Sequence, residues 1–216
     1  MAARDGEVML GYIHAGWVRA EFMASVLQLQ QSPERLLIAN VTAQSGGTLV
    51  SYARNLLTEE FLSSPCQWLL MVDTDMAFSP TQVAQLAGAA DAERHPVVTG
   101  VCATLNNTGT ATVPAIYTAE RDATGAICQF VSVAAELPSQ GMHLVDGCGA
   151  AFLMIHRTVL EKIPAGEWFR EGVTPSGGIR GEDLAFCIRA TEAGFTIWAH
   201  CGVRPGHLKT VCLTAD

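Results

Sequence analysis

The stretch "LLMVDTDMAFSP" (69–80) decides how this chain is read. With Trp68 in front of it, an apolar run ends on two aspartates, Asp73 and Asp75, separated by Thr74. A run so short and so apolar reads as a strand buried on both faces. Ser79-Pro80 then reads as a helix N-cap followed by proline at the first helical position. A buried strand thus opens into a turn bearing two carboxylates, and a helix starts directly beyond it.

Upstream, the same alternation repeats. "VMLGYI" (8–13) reads as a strand, and residues 17–30 as a helix with Trp17, Phe22, Val26 and Leu29 on one face. "RLLIANV" (35–41) reads as a second buried strand and "TAQSGG" as a loop. Residues 48–62 read as a helix with Leu49, Tyr52, Leu56 and Phe61 roughly on one side. Residues 67–73 form the third strand, 80–90 a helix and "PVVTGVC" (96–102) a fourth strand. Strands alternating with helices predict a parallel α/β sheet, and such sheets bind ligands beyond the carboxyl ends of their strands. Asp73 and Asp75 lie at one of those ends.

The second half has another texture. Residues 112–145 hold short strand-like pieces and turn signals such as "RDATG", and "HLVDGCGAAFLMIHR" (143–157) is an apolar run punctuated by glycine. "TPSGGIRGED" (174–183) reads as a flexible glycine-rich loop, which we expect to be mobile and to close over bound donor. Glu182-Asp183 open a helix that stops at Gly194, and a strand and a tail carrying His207 follow.

Composition narrows the class. At 216 residues, 49% hydrophobic and 16% charged, the chain suits one globular domain rather than a disordered one. No apolar run approaches the roughly 18 residues that cross a bilayer. The N-terminus "MAARDGEVML" has no signal-peptide pattern, so a cytoplasmic protein without membrane insertion is expected. Cys66, Cys102, Cys128, Cys148, Cys187, Cys201 and Cys212 form no C-x-x-C pair and read as free thiols of a reducing compartment. The net charge of −8 argues against general polyanion binding. Arg157, Lys162, Arg170, Arg180, Arg204 and Lys209 could still line a local basic groove in the final third.

A D-x-D alone is weak evidence, because two carboxylates can equally cap a helix or face solvent. Here it occurs with an E-D pair at a helix start and a histidine in the tail. In that order the chain resembles the GT-A-fold glycosyltransferases, in particular their family-2-like and polypeptide-transferase-like members. The resemblance runs through "YARNLLTEEFL", "LLMVDTDMAFSP", "VDGCGAAFLMIHRTVLEKI" and "GEDLAFCIRATEAGFTIWAHCGVRPGHLK". It implies a single GT-A, Rossmann-like α/β domain over residues 1–216, with a central, mostly parallel sheet. Residues 1–105 would bind the nucleotide-sugar, and 106–216 would form a smaller acceptor-side β region.

The resemblance also implies a chemistry. Asp75 and His207, with Asp73, would hold Mn2+ or Mg2+ against the diphosphate of a nucleotide-sugar, a UDP-sugar first among them. Asp73 would otherwise reach the ribose or a metal-bound water, with Thr74 beside it. Arg54 and Asn55 would lie near the nucleotide, and Lys209 near the diphosphate. Asp183 would be the general base toward a hydroxyl acceptor and Glu182 would orient that acceptor. Gly147 and Gly149 would let sugar or acceptor approach the backbone, with Trp168 stacking on a ring and Arg180 on the acceptor side. The bland alternatives are a helix-dipole role for Glu182 and Asp183 and a solvated tail for His207 and Lys209.

One departure is clear. The family's uracil-reading acid after the second strand is absent from "NVTAQSGG"; Thr42, Gln44, Tyr12 or His14 would have to replace it. A base role for Asp183 implies inversion, but the tail histidine also occurs in retaining relatives, so the stereochemistry stays open. Compact members of this kind resemble bacteriophage enzymes that act on hydroxymethylated DNA bases or virion proteins. A modified DNA base, a protein or a glycan all remain acceptors, and the oligomeric state is open. The competing readings are a metal-dependent sugar-nucleotide nucleotidyltransferase and a non-catalytic nucleotide-sugar-binding module.

Overall fold

The computed structural model describes residues 3, 6–45, 49–106, 109, 111–133 and 137–210. Along the chain it forms β1 (Val8–His14), α1 (Ala20–Gln31), a 3-10 turn (Pro33–Leu37), β2 (Ile38–Ser45), α2 (Val50–Leu62), β3 (Trp68–Asp73), β4 (Met76–Ala77), α3 (Pro80–Ala89) and β5 (Val97–Gly100). The second half adds β6 (Ala103–Leu105), β7 (Thr112–Pro114), β8 (Ile116–Arg121), β9 (Ile127–Ser132), β10 (Met142–Val145), β11 (Gly147–Cys148) and β12 (Phe152–His156). It ends with α4 (Arg157–Lys162), β13 (Gly172–Val173), β14 (Ile179–Arg180), α5 (Glu182–Glu192), β15 (Ile197–His200) and β16 (Gly206–His207).

A seven-stranded sheet in the order β10-β15-β5-β12-β3-β1-β2 forms the centre. β1, β2 and β3 are mutually parallel, as are β5 and β15; β12 runs antiparallel between β3 and β5, and β10 antiparallel at the edge. The sheet is thus mostly parallel, with β3 well inside it. Side chains alternate across a strand, and β3 feeds both cores. Trp68, Leu70 and Val72 join Phe22, Val26, Val83 and Leu86 on one face. Leu69 and Met71 join Leu57, Phe61, Val159 and Phe186 on the other. A separate three-stranded sheet, β11-β8-β9, forms the smaller β region.

Several local expectations hold because their signals are local. Ser79 caps α3 in a reciprocal capping box with Gln82, with Pro80 as the first helical residue. Gly194, at φ +93°, ends α5 in the left-handed region. The described cysteines are free thiols, all buried except Cys128, and Cys212 lies outside the described residues. Among the described residues no helix is long and apolar enough to cross a membrane.

Four expectations need correction. Residues 33–37 form a 3-10 turn started by Pro33, so β2 begins later and is a half-exposed edge strand rather than a buried one. Trp17 precedes α1 and is 63% exposed. The inner face of α2 is Ala53, Arg54, Leu57, Thr58 and Phe61, while Leu49 and Tyr52 face out. Leu57 sets that face: it lies so close over β1 that a Cβ on Gly11 would stand 2.5 Å from Leu57 Cδ1. The glycine-rich loop is a hairpin, in which β13 pairs with β14 and Thr174 bonds Gly178 through both backbone and hydroxyl.

Candidate active site

A cleft of about 210 Å³ opens at the carboxyl ends of β1 and β3. Ile13, His14 and Ala15 form one wall, the start of α2 with Leu49, Val50, Ala53 and Arg54 another, and Asp73, Thr74 and Asp75 the floor. Ile13 pairs with Asp73 across the sheet, so register alone brings the two strand ends together.

Arg54 reaches inward from α2 and is only 4% exposed. Its Nη2 donates to Asp73 Oδ1 and its Nη1 to Glu182 Oε1, each at 2.8 Å. Burial alone would lower its pKa, but the charges of Asp73, Glu182 and Asp183 outweigh that and hold it above the ordinary arginine value. Glu182 and Asp183 respond the other way. Burial lifts both carboxyls above their ordinary range against the opposing charge of Arg54. Asp183 Oδ1 accepts the N–H of Leu184 at 2.7 Å. Its Oδ2 lies toward Gly149, where an added Cβ would come within 3.7 Å of it.

Asp75 belongs to a second cluster. Its Oδ2 takes His207 Nε2 at 3.0 Å and Lys209 Nζ at 2.9 Å. His207 Nδ1 donates to the carbonyl oxygen of Ala103 at 2.6 Å, which fixes the ring and turns Nε2 to the carboxylate. Burial would raise the Asp75 pKa, but the hydrogen bonds from His207 and Lys209 hold it down at about 2. The hydrogen bond to Asp75 raises His207 against the effect of its burial. The backbone aligns this tail: β16 pairs antiparallel with β4, setting His207 opposite Met76, and Leu208 N–H donates to Asp75 O. Among the described residues no group of three or more His, Cys, Asp or Glu side chains is arranged to hold a metal ion. Asp75 and His207 meet, while Asp73 turns to Arg54.

The remaining expected residues divide. His14 lines the cleft, its Nδ1 accepting Gly16 N–H at 3.0 Å, and Thr74 lies on the floor. Tyr12 packs edge-on against Phe22 at 5.0 Å rather than lining the cleft. Thr42 and Gln44 both donate to Glu60 of α2, at 2.5 and 2.6 Å. Asn55 clamps a loop, donating to Gly166 O and accepting Phe169 N–H, so both ends of its amide serve the backbone. Trp168 is 3% exposed with its indole N–H on Leu160 O, so the ring belongs to the core and is not free to stack on a sugar or base. Gly147 gives the close approach of β11 to its neighbours, since a Cβ there would stand 2.8 Å from Phe130 and 2.9 Å from Leu184. Arg180 is not among the residues that line the cleft; it lies over the Phe130 ring and donates to Ile127 O.

Of the basic residues expected to line a groove, Arg157, Arg204 and Arg170 have partners within the chain. Arg157 donates to the carbonyls of Phe61, Leu62, Ser64 and Cys66 around the end of α2. Arg204 donates to Cys201 O and Pro138 O, and Arg170 pairs with Glu167. Two contributors carried no sequence signal. One is the Ala103 carbonyl that fixes His207. The other is Tyr117, whose hydroxyl is held above its ordinary pKa by burial first and then by the charge of Asp183.

No protein-family model matches the chain, and no curated protein matches it by sequence. Solved structures do match in fold. A197 from STIV aligns over 94% of this chain and 86% of its own, at 18% identity and a TM-score of 0.58. GalNAc-T7, solved with UDP, GalNAc and Mn2+, aligns over 93% of this chain at 11% identity and a TM-score of 0.64. The aligned part is 43% of the GalNAc-T7 chain, so this chain spans less than half of that protein's length. The likeness is one of fold, and it bears out the α/β, GT-A-like architecture with its central, mostly parallel sheet.

Proposed function

We propose that this chain is a metal-dependent glycosyltransferase that moves a sugar from a nucleotide-sugar, a UDP-sugar foremost, to a hydroxyl acceptor. One observation carries this reading. The D-T-D turn at the end of β3 meets the tail His207 on one side and, through Arg54, the Glu182-Asp183 pair on the other. GalNAc-T7, of similar fold, was solved with UDP and Mn2+, which supports the same choice of donor and cation.

The donor set fits a divalent cation. An imidazole anchored through Nδ1 to a backbone carbonyl has the usual support of a metal-binding histidine, and here it turns Nε2 toward Asp75. Asp75 and His207 would hold Mn2+ or Mg2+, with oxygen and imidazole donors suited to Mn2+. When bound, the cation supplies positive charge to the departing diphosphate.

The protein's own groups do the rest. Lys209, on the same carboxylate oxygen, adds a positive charge beside the leaving group. Asp183 accepts the proton of the acceptor hydroxyl, a task suited to a carboxylate whose burial strengthens it as a base. Glu182, held by Arg54, orients that turn of α5, and Gly149 leaves room beside Asp183 Oδ2. A direct proton abstraction by Asp183 makes the reaction inverting. Because Arg157, Arg180 and Arg204 bond backbone carbonyls of their own chain and the chain carries −8, a protein or glycan hydroxyl suits it better than a modified DNA base.

The test is a panel of nucleotide-sugars with Mn2+, following released nucleoside diphosphate with and without EDTA. Release that needs the cation is expected. Pyrophosphate release would overturn the reading in favour of nucleotidyl transfer. Donor binding with no release would overturn it in favour of a binding module.

A further inference from the structure

Among the described residues no backbone hydrogen bond links the end of β3 to the start of α5. At this point the Arg54 side chain bridges the donor-side floor and the acceptor-side helix. Residues 19 and 128 positions away in sequence bond to the two nitrogens of its guanidinium.

Arg54 is itself rigidly held. Its neighbour Ala53 and its helix partner Leu57 are buried, and Thr58 Oγ1 donates to Arg54 O at 2.8 Å. The guanidinium lies 5.8 Å from the centre of the Phe169 ring, which stacks on Phe186 of α5 at 4.7 Å. Asn55, the next residue, holds Phe169 in place through its backbone N–H. Two successive residues of α2 therefore reach toward α5, one through a ring and one through charge. A planar guanidinium can serve two carboxylates at fixed angles, whereas an ammonium on a flexible stem is a point charge. With Arg54 buried, little water is available to replace either bond.

We infer that Arg54 is a positioning residue that aligns the first turn of α5, and Asp183 on it, with the D-T-D floor by bridging Asp73 and Glu182. This role rests on the transferase reading and deepens it. Arg54 acts through Glu182 rather than on the donor. Displacing Asp73 shifts the guanidinium, Glu182 follows, and Asp183 follows Glu182 on the same turn. A misplacement of that kind, on the order of 1 Å, can cost about a hundredfold in rate.

The test is a double-mutant cycle of Arg54→Lys and Glu182→Gln, with hydrogen exchange on each protein without substrate. Each single variant should lower kcat by about ten- to a hundredfold and leave nucleoside diphosphate affinity within about threefold. The double variant should be no slower than the worse single one, because both break the same bridge. Exchange at Leu184 and Ala185 should speed up in Arg54→Lys while β3 stays protected. Additive losses in the cycle, unchanged exchange at the start of α5, or lost diphosphate affinity with kcat intact would each overturn the inference. A wild-type chain that turns over no nucleotide-sugar would overturn the transferase reading and this inference with it, and that result precedes any variant.

Discussion

Asp73 and Asp75 are two residues apart and live in opposite company. Around Asp73 one buried cation, Arg54, serves three carboxylates: Asp73, Glu182 and Asp183. Around Asp75 an imidazole, His207, and an ammonium, Lys209, share one carboxylate oxygen. The pKa directions follow the balance. Glu182 and Asp183 are pushed up, where charge is scarce and solvent excluded, and Asp75 is held down at about 2. The inner cluster keeps carboxylates eager for a proton. The outer one keeps a carboxylate permanently ionised, ready for a cation. The two aspartates of one strand end thus join different clusters, because Arg54 of α2 reaches one and the tail reaches the other.

The largest expected effect tests the inner cluster. Asp183→Asn keeps the shape and the oxygen that accepts Leu184 N–H, but removes the base. Transfer should fall by roughly two to four orders of magnitude, with donor and metal affinity near wild type. The folded protein should not suffer. The Asp183 pKa is raised on folding, so its ionised form opposes folding above that pKa, and this opposition vanishes below the ordinary aspartate range. At pH 7 the asparagine should therefore leave stability to denaturant unchanged or slightly higher. Wild-type transfer should fall as pH drops through the raised Asp183 pKa, and this acid limb should be missing from the residual rate of Asp183→Asn. Near-normal transfer by the variant, or a retained anomeric configuration in the product, would remove the base from the inner cluster.

The next effect tests the outer one. His207→Ala should weaken Mn2+ binding, measured without donor, by about ten- to a hundredfold. Stability should change by no more than about 1 kcal/mol, since the pair it breaks is partly exposed. An unchanged Mn2+ titration would make His207 a structural tail residue and end the contrast.

The smallest effect is the sharpest on location. Raising salt from about 0.1 to 1 M shortens the screening length from about 10 to 3 Å. Carboxyl NMR should show Asp75 titrating at higher pH in high salt, with Glu182 and Asp183 nearly unmoved. Equal shifts at all three would mean that the inner cluster is as open to solvent as the outer.

The outer cluster's parts were legible in the sequence and the inner one's arrangement was not. The carboxylates at the end of β3, the Ser79-Pro80 helix start and the Gly194 stop rest on local rules of period and capping. The tail histidine took its role from a resemblance, and the β16–β4 pairing brings it to Asp75. Arg54 gave no local clue to its direction. On α2 the apolar Leu49 and Tyr52 suggested one inward face, whereas the fit of Leu57 over Gly11 turned the helix so that an arginine faces in. Asn55 and Arg180 likewise found partners far along the chain, at Gly166 and Phe169 and at Ile127. Long-range partners decide whether a polar side chain serves a ligand or the backbone, and spacing does not record them.

The pairing of β16 with β4 has a consequence for motion. It spans two residues on each side and joins segments more than a hundred residues apart. Its β4 half is tied to the core by the buried Met76 and its β16 half is the more exposed, and a pairing so short opens by local unfolding at a free energy below that of the whole domain. The strand end carrying Asp75 is anchored in the buried sheet, so opening would carry off His207 and Lys209 and leave the carboxylate behind. The outer cluster can therefore come apart and re-form many times within the life of one folded molecule, while the Arg54 bridge beneath it stays closed.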